Sequence, residues 1–291
     1  MGRGTARAGA GGGRRQHAHR SIGDALTALA LPRGVFRWPD VSHRAFRVWQ
    51  RNRDVYFNIW RSEIIWPIVD PLISLIALGV GLGDFVDLGI DESYVVFIAP
   101  GLLAVFPMWV AAAETGWGSF FRMENQRTFD AIVSTPASLE DVVTGEILWA
   151  ASRAALSVAY ILVLIAAFGA VKSPLAILVL PLAFLPGLMF GAISLCYTSI
   201  ARSISTLNYF FAAFITPQFW LAGVFFPLDR LPGWVRVVAW FTPASHVVKV
   251  YRGLVQGEPH WSHLGDIAWM IVVSGAAYLI ALYSMRQRLV K

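Results

Sequence analysis

Six apolar runs of about twenty residues constrain this chain more than anything else in its sequence. They fall at about 64–83, 94–117, 147–169, 174–200, 208–226 and 264–284. Roughly twenty apolar residues in an α-helix cross the ~30 Å hydrocarbon core of a bilayer. Helices are the expected form, because backbone polar groups in lipid must be satisfied within the segment. Composition agrees: 56% of residues are hydrophobic, 14% are charged, and mean hydropathy is +0.57. Soluble domains typically carry about 25% charged residues. The sequence therefore predicts an all-α integral membrane protein with six transmembrane helices.

The first run is the weakest. Its eleven Ile, Leu and Val residues favour insertion by about 5 kcal/mol, and Asp70 opposes it by about 3. Pro67, Pro71 and three glycines narrow the margin further. Ahead of it, residues 40–61 interleave Val41, Phe46, Trp49, Val55, Tyr56, Ile59 and Trp60 with Arg44, Arg47, Arg51 and Arg53. That pattern predicts an N-terminal amphipathic helix lying in the headgroup layer. Residues 1–35, rich in Gly, Ala and Arg, lack periodicity and predict a disordered basic tail. Residues 36–291 remain as a single transmembrane domain.

The net charge of +6 raises the question of nucleic acid, but twelve of the 24 Lys and Arg residues precede residue 62. Basic residues flanking a span act as a topology signal or a contact to anionic lipid, so membrane lipids are the expected partner and nucleic acid is not. With both termini cytoplasmic, nineteen basic residues fall inside and five outside. The first outer loop, DFVDLGIDES, has none. Both termini are therefore expected in the cytoplasm.

Two connections are long, at 120–146 inside and 226–263 outside. The outer one is too apolar for a free loop. Leu231, Trp234, Val237, Val238 and Phe241 recur near helical spacing, which predicts short re-entrant helices between spans five and six. The inner one carries Arg122, Glu124, Gln126, Arg127 and Asp130. Its mixed charge suits either a solvated face or a docking element for a cytoplasmic partner.

Enzymatic patterns are missing. A phosphate-cradling Gly-rich loop ending in Gly-Lys-Ser/Thr is absent. Of the three lysines, only Lys172 precedes a Ser, and Val171 stands before it. This chain is therefore not expected to hydrolyse ATP, to bind a cofactor or to hold a metal. His260 and His263 near Glu258 and Asp266 read as a solvated loop, and Cys196 in an apolar run as a packing residue. The acids Asp70, Glu114 and Glu146 lie in or beside the spans. Intramembrane carboxylates face the bundle interior, where they serve structure or transport. Phe106, Trp109, Phe214 and Trp220 place aromatic faces in the second and fifth spans, where they pack, face lipid or stack on sugar rings. A membrane-embedded lipid- or glycan-modifying enzyme using Asp70, Glu114 or His246, and a scaffold or sensor subunit, are the competing classes.

Several stretches resemble the permeases of type-2 ATP-binding-cassette exporters, and within them the NodJ-like lipo-oligosaccharide exporter group. They are Asp70-Pro71-Leu72-Ile73 with Leu78 to Gly83; Glu114-Thr115, Arg122-Met123 and Gln126-Arg127-Thr128; Asp141-Val142-Val143, Gly145-Glu146 and Trp149; and Ile215-Thr216-Pro217, Phe226-Pro227, Leu231-Pro232, Pro243 and His246. The likeness runs from about residue 40 to the C-terminus. It implies a permease subunit in a bacterial cytoplasmic (inner) membrane that exports a lipo-oligosaccharide, glycolipid or polysaccharide-like molecule. Drug and antibiotic efflux permeases share the pattern and are the alternative. It also implies two copies of a cytoplasmic ATPase, which bind ATP and Mg, and a second permease subunit forming a homodimer. Residues 119–134 would form the ATPase-coupling helix. The first, second and fifth spans would line the path, with Phe106, Trp109, Phe214 and Trp220 on it. Phe226, Pro227, Trp234 and His246 would belong to the outer gate.

Overall fold

The structure, a computed structural model, describes residues 41–85 and 93–289. The expected tail at 1–35 and residues 86–92 of the first outer loop lie outside them. No strand occurs among the described residues. The chain runs as α1 (Arg44–Glu63), α2 (Trp66–Val80), α3 (Tyr94–Asn125) and α4 (Thr128–Val133), then α5 (Leu139–Ala167) and α6 (Pro174–Ile200). It continues through α7 (204–221), α8 (Gly233–Phe241), α9 (Pro243–Gln256) and α10 (Ser262–Leu289).

Helices α3, α5, α6 and α10 are each long and apolar enough to cross a membrane. α1 and α2, bent by 45° at a short break, qualify as a fifth span when taken together. The sequence expectation was six. Helix α2 alone, at 1.5 Å per residue, is about 22 Å long and shorter than the hydrocarbon core. Helix α7, in the fifth expected span, carries Asn208, Thr216 and Gln218.

Helix α1 buries Ala45, Val48, Asn52 and Tyr56, which recur every three or four residues and form one face. That face packs on α5. Gly145 permits the approach, because a Cβ there would lie 2.5 Å from Val48 Cβ and 2.8 Å from the Ala45 carbonyl. Helix α1 also exposes Phe46, Val55, Phe57, Ile59 and Trp60.

Two helices begin or end elsewhere than hydropathy placed them. Helix α5 starts eight residues before the expected third span. Ser138 Oγ accepts from the Asp141 amide at 3.1 Å, and the Asp141 carboxylate accepts from the Ser138 amide at 3.0 Å. This capping box fixes the start, and Asp141 also accepts from the Ser42 amide at 2.7 Å. Helix α3 continues to Asn125, so the inner connection is mostly helical and the turn narrows to α4 and its flanks. On the other side, α9 is buried against α3 and α10, whereas α8 exposes Trp234, Val237, Val238 and Phe241.

Candidate functional site

Four stretches of helix widen into π-turns: Leu75–Val80 in α2, Glu114–Gly118 and Phe121–Asn125 in α3, and Phe211–Ile215 in α7. Among the described residues none occurs in α5, α6 or α10. A π-turn replaces i→i+4 bonds with longer ones and often marks a functional position. In α2 it follows Pro71, whose ring removes an amide donor from the helix interior.

The three π-containing helices, with the end of α1 and Arg153 of α5, line a cleft of about 830 Å³. Trp66, Phe106, Trp109, Trp117, Phe219 and Trp220 supply aromatic walls. Glu63, Asp70, Glu114 and Arg153 supply charge. Stacking fixes several rings. Trp117 lies flat on Phe211 with centroids 3.8 Å apart, and Phe106 meets the edge of Phe219 at 5.6 Å. The Trp117 indole also donates to Asn208 Oδ1 at 3.2 Å. Asp70 is half-buried and makes no hydrogen bond or ion pair among the described residues.

At one end of the cleft lies a cluster of charges. Arg122 reaches Glu114 Oε1 at 2.9 Å and Glu146 Oε2 at 2.5 Å. Glu146 is 1% exposed and also accepts from Asn52 Nδ2 at 2.9 Å and Ser119 Oγ at 2.6 Å. Arg153 pairs with Glu63 at 2.8 Å, lies 3.8 Å from Glu114 Oε2 and covers the Tyr56 ring at 4.5 Å. Helices α1, α3 and α5 are thus joined by one network of two guanidiniums, three carboxylates and the Asn52 amide. Buried ion pairs do not by themselves add stability, but removing one member is costly. The cluster is therefore a junction between the three helices.

The coupling residues named from the sequence separate into two groups. Arg122 points inward to the cluster, whereas Glu124, Gln126, Arg127 and Asp130 are exposed. Arg127 lies in the left-handed region (φ 51°), the one non-glycine residue there among the described residues, and it turns the chain from α3 into α4. Phe129, 1% exposed, anchors α4 beneath. Two arginines of α10 brace this end of the molecule. Arg288 pairs with Glu124 at 2.7 Å and donates to the Thr198 carbonyl at the end of α6 at 2.6 Å. Arg286 pairs with Glu140 at 2.5 Å.

Of the aromatic residues named for a path, Phe106, Trp109 and Trp220 line the cleft. Phe214 stacks on Phe210 at 5.3 Å instead. Asp70 and Glu114 line the cleft and Glu146 lies in the charge cluster. The gate residues do not form one group. Phe226 and Pro227 are half-buried, Trp234 is exposed on α8, and His246 is 2% exposed in α9. Sequence reasoning missed Asn52, Glu63 and Ser119 as site residues. It also gave Arg153 no role, although its spacing of seven from Glu146 puts both on one face of α5.

Comparison with known proteins agrees with this architecture. The ABC-2 type transporter family matches residues 44–255, from α1 through α9. Nodulation protein J of Rhizobium leguminosarum bv. trifolii is 34% identical over 272 residues, covering 92% of this chain and 99% of the relative. Nodulation protein J of Rhizobium meliloti (strain 1021) is 32% identical over 267 residues, covering 91% and 98%. The inner membrane transport permease YadH of Escherichia coli (strain K12) is 21% identical over 245 residues, covering 83% and 93%. With a family match over most of its length and relatives of this similarity, the chain belongs to the ABC-2 type transporter family of integral membrane proteins.

Proposed function

We propose that this chain is the permease subunit of an ATP-driven exporter in a bacterial inner membrane, working as a homodimer with two copies of a separate ATPase. ATP and Mg bind the ATPase, and this chain has no catalytic role. Its cargo is an amphipathic lipo-oligosaccharide, glycolipid or polysaccharide-like molecule moved from the cytoplasm or inner leaflet. The carrying observation is the cleft. Its aromatic walls suit acyl chains and sugar faces, and the unpartnered Asp70 carboxylate is available to sugar hydroxyls. Similarity to nodulation protein J over nearly the whole chain supports the same reading. In this proposal the chain makes six crossings with both termini cytoplasmic. Helix α2 is the first and α7 the fifth, α1 lies in the headgroup layer, and α8 and α9 return into the outer leaflet.

Coupling follows from the charged junction. The exposed α4 and its flanks dock on the ATPase. When the ATPase closes on ATP, α3 and α5 move with α4, and the buried cluster carries the motion to α1. The spans then rock as rigid bodies and open the path between permease copies, with Phe226, Pro227 and Trp234 at its outer end. His246 supports that end from behind.

A second reading has its own support. The cleft holds Glu63, Asp70 and Glu114 against Arg153, an excess of negative charge that suits an amphipathic cation, as in drug efflux. To test the docking, the chain is purified with its ATPase and compared with Arg127→Glu and Asp130→Arg. Reduced assembly or reduced coupled ATP hydrolysis is expected, and wild-type behaviour in both variants rejects the docking role. Proteoliposomes given a lipo-oligosaccharide or a cationic dye then separate the two substrate classes.

A further inference from the structure

A second pocket, of about 560 Å³, lies between α8, α9 and the first turns of α10, away from the cleft. Lys249, His263, Asp266, Trp240 and Trp269 line it, with Ser262 at its rim. The natural counter-ion for Lys249 in this pocket is Asp266, but Asp266 is already engaged. The His246 ring bridges it at 2.6 Å to the Trp240 carbonyl at 2.8 Å and stacks on Trp269 at 4.2 Å. Lys249 is half-buried and makes no ion pair or hydrogen bond among the described residues. The indole N–H groups of Trp240 and Trp269 and the Ser262 hydroxyl, which also line the pocket, likewise make no hydrogen bond among the described residues. The pocket thus offers several free donors and an uncommitted cation, while its carboxylate is occupied. Such a donor set suits an oxyanion.

The surroundings identify the source of that oxyanion. Trp234, Trp240 and Trp261 are 72%, 48% and 88% exposed around this end of the molecule. Exposed tryptophans gather at the depth of lipid headgroups. The apolar residues of α8 beside them, Val237, Val238 and Phe241, are exposed as well and offer a surface to acyl chains. We infer that this pocket binds the phosphate of an anionic phospholipid, with Lys249 as its counter-ion. Under the orientation proposed above the lipid belongs to the outer leaflet, but the binding itself does not depend on that orientation.

Native mass spectrometry of the full chain in detergent tests the inference, using phosphatidylglycerol as the probe. Wild type is expected to retain one more phosphatidylglycerol per chain than Lys249→Gln, with about fivefold tighter binding, the worth of one basic residue at a lipid surface. Lys249→Arg is expected to keep the tight site. Thermal unfolding of each variant is followed alongside, so that loss of fold is not read as loss of the site. Glucosyl-diacylglycerol and inorganic phosphate serve as the uncharged-sugar and free-anion arms. Equal phosphatidylglycerol retention by wild type and Lys249→Gln overturns the inference. So does retention of the glucolipid as strong as that of phosphatidylglycerol, which indicates a sugar site. Displacement of the lipid by millimolar inorganic phosphate also overturns it, in favour of a free anion.

Discussion

Replacing Glu146 by alanine removes the centre of the charged junction. The side chain is 1% exposed and accepts from Asn52, Ser119 and two nitrogens of Arg122, at 2.9, 2.6, 3.0 and 2.5 Å. Without it Arg122 keeps only Glu114 as a charged partner, at 2.9 Å, with 15% of its side chain exposed. Asn52 loses its carboxylate acceptor. Breaking a buried pair by deleting one member costs about 3–5 kcal/mol, and the remaining Glu114 contact places this site near the lower figure. At about 2–4 °C per kcal/mol for a protein of 150–250 residues, the midpoint should fall by about 6–12 °C. Size-exclusion of detergent-purified protein after brief heating reads this shift. The control is Asp54→Ala, whose partner Arg53 and own side chain are 38% and 62% exposed. Surface pairs contribute about 0–1 kcal/mol, so that midpoint should move by no more than about 4 °C. If Glu146→Ala shifts no further than Asp54→Ala, the buried junction is not what joins α1, α3 and α5.

Other perturbations test separate parts. Gly145→Val should detach α1 from α5, since even a Cβ meets Val48 at 2.5 Å; limited proteolysis within 44–63 should speed up while the other helices stay protected. Arg127→Gly relieves a left-handed residue (φ 51°), so stability should hold or rise by about 1 kcal/mol. A large drop would mean that the Arg127 side chain itself holds the turn. Trp109→Ala and Phe219→Ala should lower transport severalfold while leaving co-purification with the ATPase intact. Loss of assembly in both would assign these rings to packing rather than to the path.

Hydropathy located α3, α5, α6 and α10, the four helices that are each long and apolar enough to cross a membrane, because lipid selects on composition averaged over twenty residues. It could not locate where helices begin. The Ser138-x-x-Asp141 spacing was visible and sets the start of α5, but it lies in a polar stretch that hydropathy assigns to a loop. Asp70 and Glu114 were legible because a carboxylate in an apolar run stands out. Glu63 and Arg153 are 90 residues apart, and their pairing exists only after α1 packs on α5. The π-turns were invisible for another reason. They are changes of hydrogen-bond register that leave residue type nearly unconstrained, so Phe211–Ile215 reads like any other apolar helix. The same limit hid the inward turn of Arg122, which shares its charge with the exposed Arg127 but not its environment.

In the proposed mechanism a separate ATPase opens and closes the cleft lined by α2, α3 and α7. Cys196, the single native cysteine, is first replaced by serine, and Trp109→Cys then places a thiol in the cleft wall. The complex is trapped without nucleotide, with a non-hydrolysable ATP analogue, and with vanadate. A membrane-impermeant maleimide is added from each side in turn. The expected result is a severalfold change in labelling rate between nucleotide states, opposite in sign for the two sides. Equal rates in every state, with the ATPase bound and hydrolysing, would contradict the claim that this cleft is the transport path.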